Sequence, residues 1–209
     1  MILISLVYRK NRKEWLLTFD NGESLTVNED IKVKYSLQLH KDISEERFST
    51  LKKEAEHVFA YEKAIELLSY REHSSFELKS KLRQKGFSGS VIESVIETMI
   101  SKGYLDDDRF TDLYFRELIR QGKYGPLMIR KKMLEKGITS DIVDRKIRSV
   151  SQKEWEQYAT GLLKKKMQKI QYRGKDKREI LLRYLMNKGF DYGSIESLIK
   201  SAVENDENS

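Results

Sequence analysis

The sequence predicts a mainly α-helical protein: three tandem three-helix repeats in an elongated curved array, preceded by a small N-terminal antiparallel β meander. Three observations predict it. First, a Lys-Gly-apolar tripeptide recurs at Lys85-Gly86-Phe87, Lys136-Gly137-Ile138 and Lys188-Gly189-Phe190, its glycines almost evenly spaced. Recurrence on that scale marks stacked supersecondary units. Second, the flanks stay in register. Leu78, Ile129 and Leu181 precede their glycines by eight residues, and Leu82, Met133 and Leu185 precede by four. Phe87, Ile138 and Phe190 follow by one, Ile92, Val143 and Ile195 by six, and Ile96, Ile147 and Ile199 by ten. Third, a single proline and 35% charged residues favour helices over a loop-rich or all-β chain.

The chain divides accordingly into a meander and connector (1–43), repeat one with a lead-in helix (44–104), repeat two (105–150), repeat three (151–203) and a disordered tail (204–209). In the meander, residues 2–9 and Trp15-Leu16-Leu17-Thr18-Phe19 read as strands, and Asp20-Asn21-Gly22 reads as a hairpin turn before Leu25-Thr26-Val27. Asn-Gly suits the positive φ that such turns need. A sheet this small cannot bury both faces alone, so it is expected to lean on the helices. Residues 28–36 read as a short helix and 37–43 as a connector.

From Ser44 the pattern turns helical. Glu45 and Glu46 behind Ser44 suit the positive end of a helix dipole. A long helix over about 44–70 carries Phe48, Leu51, Ala55, Val58, Phe59, Ala64, Ile65 and Leu68 on its apolar stripe. Ser74-Ser75-Phe76-Glu77 opens the next helix as a capping box. A third follows over about 88–102, and Gly86 and Gly103 stop the second and third as positive-φ caps. Repeat two starts at Asp106-Asp107-Asp108 and breaks at Gly122, and Pro126 opens its second helix where no N–H is needed. Thr139 caps its third helix. Ser151-Gln152-Lys153-Glu154 is a further capping box, followed by helices over 152–170, 175–188 and about 191–203.

Composition excludes several classes. There is no cysteine, hence no disulfide or thiolate chemistry, which fits a reducing cytoplasm. Met1-Ile2-Leu3-Ile4-Ser5-Leu6-Val7 is one strand long and lacks the flanks of a signal peptide. No run approaches the roughly 20 apolar residues of a membrane helix. Asp106-Asp107-Asp108 resembles a metal cluster, but neighbours on a helix diverge and no further ligands lie at coordination spacing, so helix capping accounts for them better. His40, His57 and His73 are scattered, the serines lack a nucleophile elbow, and no lysine stands in a phosphate loop. No catalytic residue, cofactor or metal is expected.

The basic groups carry more information. The net charge of +7 is concentrated: Lys164 to Lys188 holds ten Lys/Arg against Asp176 and Glu179. Lys79, Lys81, Arg83 and Lys85 lie on the second helix of repeat one. Arg130, Lys131 and Lys132 lie on that of repeat two, with Lys123 in the turn before it. Repeat three offers Lys175, Lys177, Arg178 and Arg183, and Lys164, Lys165, Lys166, Lys169 and Arg173 precede them. Any one group alone reads as a solvated helix face. Similar placement in three repeats weakens that reading and favours an acidic groove or a phosphate backbone as partner. Aromatics among these lysines are few, chiefly Tyr172 and Tyr184, so base stacking is only weakly indicated. A helix-turn-helix reader of base sequence is disfavoured, because these helices offer mainly lysine where Arg, Asn or Gln would read base edges.

The order and spacing of several segments resemble the RecX family, bacterial regulators of the RecA recombinase. The segments are Ala64-Ile65-Glu66-Leu67-Leu68-Ser69-Tyr70-Arg71, Ser74 to Leu82, Lys102-Gly103-Tyr104-Leu105-Asp106-Asp107-Asp108-Arg109-Phe110, Gly125-Pro126-Leu127-Met128-Ile129, Lys136-Gly137-Ile138 and Lys188-Gly189-Phe190. The resemblance covers roughly residues 60–200, and the meander is similar to an extension of some members. It implies three tandem three-helix repeats. It further implies a non-enzymatic modulator, mainly an inhibitor, that binds along the groove of the RecA–DNA filament and hinders extension, ATP turnover and strand exchange. The basic stretch Lys169 to Lys177 is longer than the family pattern and leaves open whether this face meets protein or DNA. The alternative is a DNA- or RNA-binding protein acting directly through 164–188. A cytoplasmic monomer without cofactor is expected in either case.

Overall fold

The computed structural model describes residues 1–168 and 175–207. It comprises two compact units, Met1–Leu105 and Asp106–Ser209. In the first, β1 (Leu3–Arg9), β2 (Glu14–Phe19) and β3 (Ser24–Val27) form an antiparallel meander in the order β1-β2-β3. Alternation sends Leu17 and Phe19 inward, and the register pairs Trp15 with Val27 and Leu17 with Leu25 on the same face. That face closes on Ile31 of α1 (Glu29–Lys34), on Leu37 and Ile43, and on Phe48, Leu51 and Ala55 of α2 (Glu45–Tyr70). The sheet thus leans on helices as its size requires.

Two details differ from the sequence expectation. The second hairpin turns over Asp20-Asn21-Gly22 as expected, the Phe19 N–H donating to the Glu23 carbonyl at 2.9 Å, but of the Asn-Gly pair only Gly22 takes positive φ (+86°). Asn21 instead uses Oδ1 to accept from the Glu23 N–H at 3.0 Å. The connector also does more than connect. His40 N–H donates to the Leu3 carbonyl at 2.8 Å and Leu3 N–H to the Lys41 carbonyl at 3.1 Å, which pins it along the start of β1.

Ser44 caps α2, its Oγ accepting from the Arg47 N–H at 3.3 Å. The helix serves two cores. Phe48, Leu51 and Ala55 belong to the sheet core, whereas Ala60 and Ala64 pack with Leu78 and Leu82 of α3 (Ser75–Gln84) and Ile92, Val95, Ile96 and Met99 of α4 (Gly89–Ser101). Ile65, expected on the buried stripe, is exposed, because the close helix approach runs along Ala60 and Ala64.

The second unit holds α5 (Asp107–Gln121), α6 (Pro126–Leu134), α7 (Ser140–Arg148), α8 (Gln152–Met167), α9 (Lys175–Asn187) and α10 (Tyr192–Glu207). One core gathers Phe110, Phe115, Leu118, Ile129, Met133 and Val143; another gathers Ala159, Leu162, Leu163, Leu181, Leu185, Ile195 and Ile199. Trp155 packs against both. The helix α10 continues through Glu207, past the end near 203 expected for it, so residues 204–207 are helical and not a frayed tail.

The repeat columns are the core. Leu78, Ile129, Leu181, Leu82, Met133 and Leu185 are all fully buried. After each second helix the chain stops identically. Gly86, Gly137 and Gly189 have φ of +90°, +79° and +93°, and each donates its N–H three residues back. The next residue reaches five back: Phe87 to the Leu82 carbonyl at 3.4 Å, Ile138 to Met133 at 3.3 Å, Phe190 to Leu185 at 3.2 Å. This is the Schellman cap with its apolar clasp, and the left-handed residue in it favours glycine.

Gly125 and Gly189 have a second role. The Gly125 N–H donates to the Lys188 carbonyl at 2.7 Å and the Leu127 N–H to the Gly189 carbonyl at 2.9 Å. Repeats two and three therefore meet backbone to backbone at the start of α6.

Candidate partner-binding surface

The basic residues of the second helices divide into structural and available groups. Lys79 Nζ lies 2.5 Å from Glu93 Oε2, and Arg130 Nε lies 2.9 Å from Asp144 Oδ1. These are the same pair in two repeats, since each cation stands seven residues before its glycine and each acid seven after. In repeat three the position of the cation is Leu182, and Glu196 in the acid column instead takes Arg178 at 3.2 Å and the Tyr192 hydroxyl at 2.6 Å. The pair ties the second helix of a repeat to the third. Lys79, Arg130 and Arg178, expected as partner contacts, each hold an acid of their own repeat, and the fixed spacing of that acid column in the sequence is the signal for it.

Lys177 does not stand on a solvated face: it is only 7% exposed. Aligning the repeats explains this, because it shares a column with Ser74 and Gly125, both buried where their second helices begin. Lys169 and Arg173 lie outside the described residues, and Lys175 is the first residue of α9.

The other cations face solvent to differing degrees. On α3, helical periodicity separates Lys79 and Arg83 from Lys81 and Lys85, so the four flank the buried Leu78–Leu82 stripe on both sides. Arg83 and Lys85 are exposed and Lys81 half-buried. In repeat two, Lys123 and Lys131 are exposed, Lys131 within 4.0 Å of Glu135. Lys132 is half-buried with Nζ 4.5 Å from the centre of the Tyr124 ring. Lys136 approaches Tyr114 at 5.8 Å. In repeat three, Lys166 and Lys188 lie 5.4 and 5.5 Å from the Tyr184 ring, while Lys164 and Lys165 are exposed with no ion pair among the described residues. Lysines over tyrosine faces are drawn to them by cation–π attraction.

Other candidates resolve as structural. Asp106 caps α5, its Oδ1 accepting from the Arg109 N–H at 2.8 Å, with Asp107 and Asp108 in the first turn. Among the described residues no group of three or more His, Asp or Glu could hold a metal ion. Asp112 accepts from Lys146 at 2.5 Å, and that hydrogen bond holds its carboxyl below the usual range. Hydrogen bonds from Arg120 and Gln121 lower Glu117 to about 2. A cleft of about 280 Å³ between Trp155 and Phe190 is walled by Pro126, Ile147 and Val150, and at its rim the Ser194 N–H donates to Asp191 Oδ1 at 3.0 Å, a cap at the start of α10. No helix among the described residues is long and apolar enough to cross a membrane.

Comparison with known proteins agrees with this architecture. The family model for the RecX first three-helix domain matches residues 60–99 and that for the second matches 106–146. A regulatory protein RecX of Legionella pneumophila (strain Corby) is 34% identical over 141 residues, covering 68% of this chain and 93% of that protein. One from Streptococcus equi subsp. equi (strain 4047) is 27% identical over 192 residues, 91% of this chain and 73% of that protein. A crystal structure of regulatory protein RecX superposes with a TM-score of 0.66 at 19% identity, covering 96% of this chain and 98% of that one. The RecX of Lactobacillus salivarius gives 0.59 at 23%, covering 71% and 97%. The two structures share the fold. With repeats, caps and cores placed as described, the chain belongs to the RecX family, a family of regulatory proteins and not of enzymes.

Proposed function

We propose that the chain modulates RecA, mainly as an inhibitor, by binding along the groove of the RecA–DNA filament and restraining its extension, ATPase and strand exchange. Membership of the RecX family carries this reading. The recurrence of cations at equivalent positions supports it: Lys81 and Lys85 in repeat one, Lys132 and Lys136 in repeat two, Lys188 beside Tyr184 in repeat three. A groove lined by carboxylates or phosphates complements such an arrangement. No cofactor enters the reading, and a monomer suffices for it.

The test is RecA ATPase on single-stranded DNA with rising amounts of the protein. Wild type is expected to suppress turnover below one copy per RecA protomer, and an Arg83→Glu, Lys85→Glu, Lys131→Glu variant to suppress it weakly. These positions avoid the Arg130–Asp144 pair.

A second reading, direct binding to DNA or RNA through 164–188, is favoured by the exposed Lys164 and Lys165. It predicts unchanged RecA turnover, a gel shift of naked DNA, and log affinity falling with log salt by about 0.9 per duplex phosphate contacted.

A further inference from the structure

The β1–β2 turn concentrates charge as no repeat does. Arg9, Lys10, Arg12 and Lys13 put four cations into five residues, all of them exposed. The turn is closed by its backbone, with Arg12 N–H donating to the Arg9 carbonyl at 3.0 Å and Lys13 at a φ of +55°. None of the four side chains is in an ion pair among the described residues. Glu14, opposite Arg9 in the register, is the single acid between Leu3 and Phe19.

An aromatic ring stands at the root of this ribbon. Tyr8 is 47% exposed and rests against Trp15, ring centres 5.0 Å apart. Trp15 is itself fixed, its Nε1–H donating to Glu29 Oε2 at 2.5 Å and Lys32 Nζ lying 3.9 Å from its ring centre. A braced, half-open ring next to Arg9, the first of four solvated cations, offers partners for both things an unpaired strand of nucleic acid presents to be bound. Phosphates seek point charges, and unstacked bases seek a flat apolar face. A duplex presents only the first.

We propose that the β1–β2 hairpin binds single-stranded nucleic acid, with Arg9, Lys10, Arg12 and Lys13 on phosphates and Tyr8 against a base. The hairpin precedes the repeats in the chain, and its binding is testable without RecA.

The experiment is fluorescence anisotropy of the full chain with a labelled oligothymidylate across a salt series. Changing Arg9, Lys10, Arg12 and Lys13 to Gln is expected to weaken binding about tenfold or more at low salt. It should also flatten the log–log salt slope by about 3, at about 0.7 for each of the four single-strand contacts. Tyr8→Leu is expected to weaken binding about fivefold with the slope unchanged, since stacking is not ionic. Unchanged affinity and slope in the fourfold variant overturn the proposal. Equal loss on a blunt duplex overturns the single-strand assignment. A loss seen only with phosphatidylserine-containing vesicles gives the patch to a membrane surface and overturns it too. Should circular dichroism show the fourfold variant misfolded, Lys10→Gln with Arg12→Gln carries the same test at half the slope change.

Discussion

A methyl group on Gly125 would lie 2.6 Å from the carbonyl oxygen of Gly189, so these two glycines pass one another with no room for a side chain. Gly189 carries a double constraint, because it also holds φ at +93° and a Cβ there would overlap the Met128 backbone. Gly189→Ala is expected to cost about 3 kcal/mol, combining left-handed strain with overpacking. Gly86→Ala, at φ +90° with open space around it, should cost only the strain, about 1–2 kcal/mol. Urea unfolding followed by Trp155 fluorescence for the first and Trp15 for the second separates them, since each unit holds one tryptophan.

The repeated ion pair between second and third helices is solvent-facing, Arg130 and Asp144 being 40% and 38% exposed. Asp144→Asn should change stability by less than about 1 kcal/mol. The change frees Arg130, so in the RecA ATPase assay the variant is expected to inhibit at least as well as wild type.

Lys177 and Lys164 belong to one basic stretch yet should behave oppositely. Reversing the buried Lys177 to Glu puts a carboxylate where burial and neighbouring contacts are fitted to a lysine, and is expected to cost about 3 kcal/mol or more. Reversing the exposed Lys164 and Lys165 should alter the melting free energy by about 0.5 kcal/mol or less. Thermal melts of the two variants decide which part of 164–188 is available to a partner.

His73 should make the first unit acid-sensitive. It is 1% exposed, its Nδ1 lies 2.9 Å from the Arg71 carbonyl, and its Nε2 has no hydrogen-bond partner among the described residues. Burial pushes its pKa below the ordinary value of 6.5, with the bond to Arg71 opposing in part. The unfolded chain therefore takes up a proton near pH 6.5 that the folded chain refuses. Stability is full above that pH and falls as pH drops below it, until the depressed folded pKa is reached. In His73→Asn, which keeps a donor for Arg71 without titrating, the dependence between pH 7 and 5 should flatten.

The columns of Leu, Ile and Met and the capping glycines were legible because a helix buries one stripe and stops in few ways. Three copies in register then expose both signals. What stayed hidden depends on how helices cross. The Lys79–Glu93 and Arg130–Asp144 pairs join residues on different helices, and their link appears only once the Schellman turn folds one onto the other. The fate of Lys177 turned on its place at the foot of a helix, and lysine is ordinarily a surface residue. Glycine 189 announced its cap but not its neighbour, since nothing local to Lys188-Gly189-Phe190 mentions Gly125.

The 26 residues of α2 make a rod about 39 Å long whose first half is clothed by the sheet and whose second half founds repeat one. The sheet is therefore not a detachable ornament. Excising residues 1–43 would leave Phe48, Leu51 and Ala55 naked on a helix that the repeats still require. A lineage that shed the sheet would have had to rewrite those three positions as polar, or shorten the rod, in the same stroke.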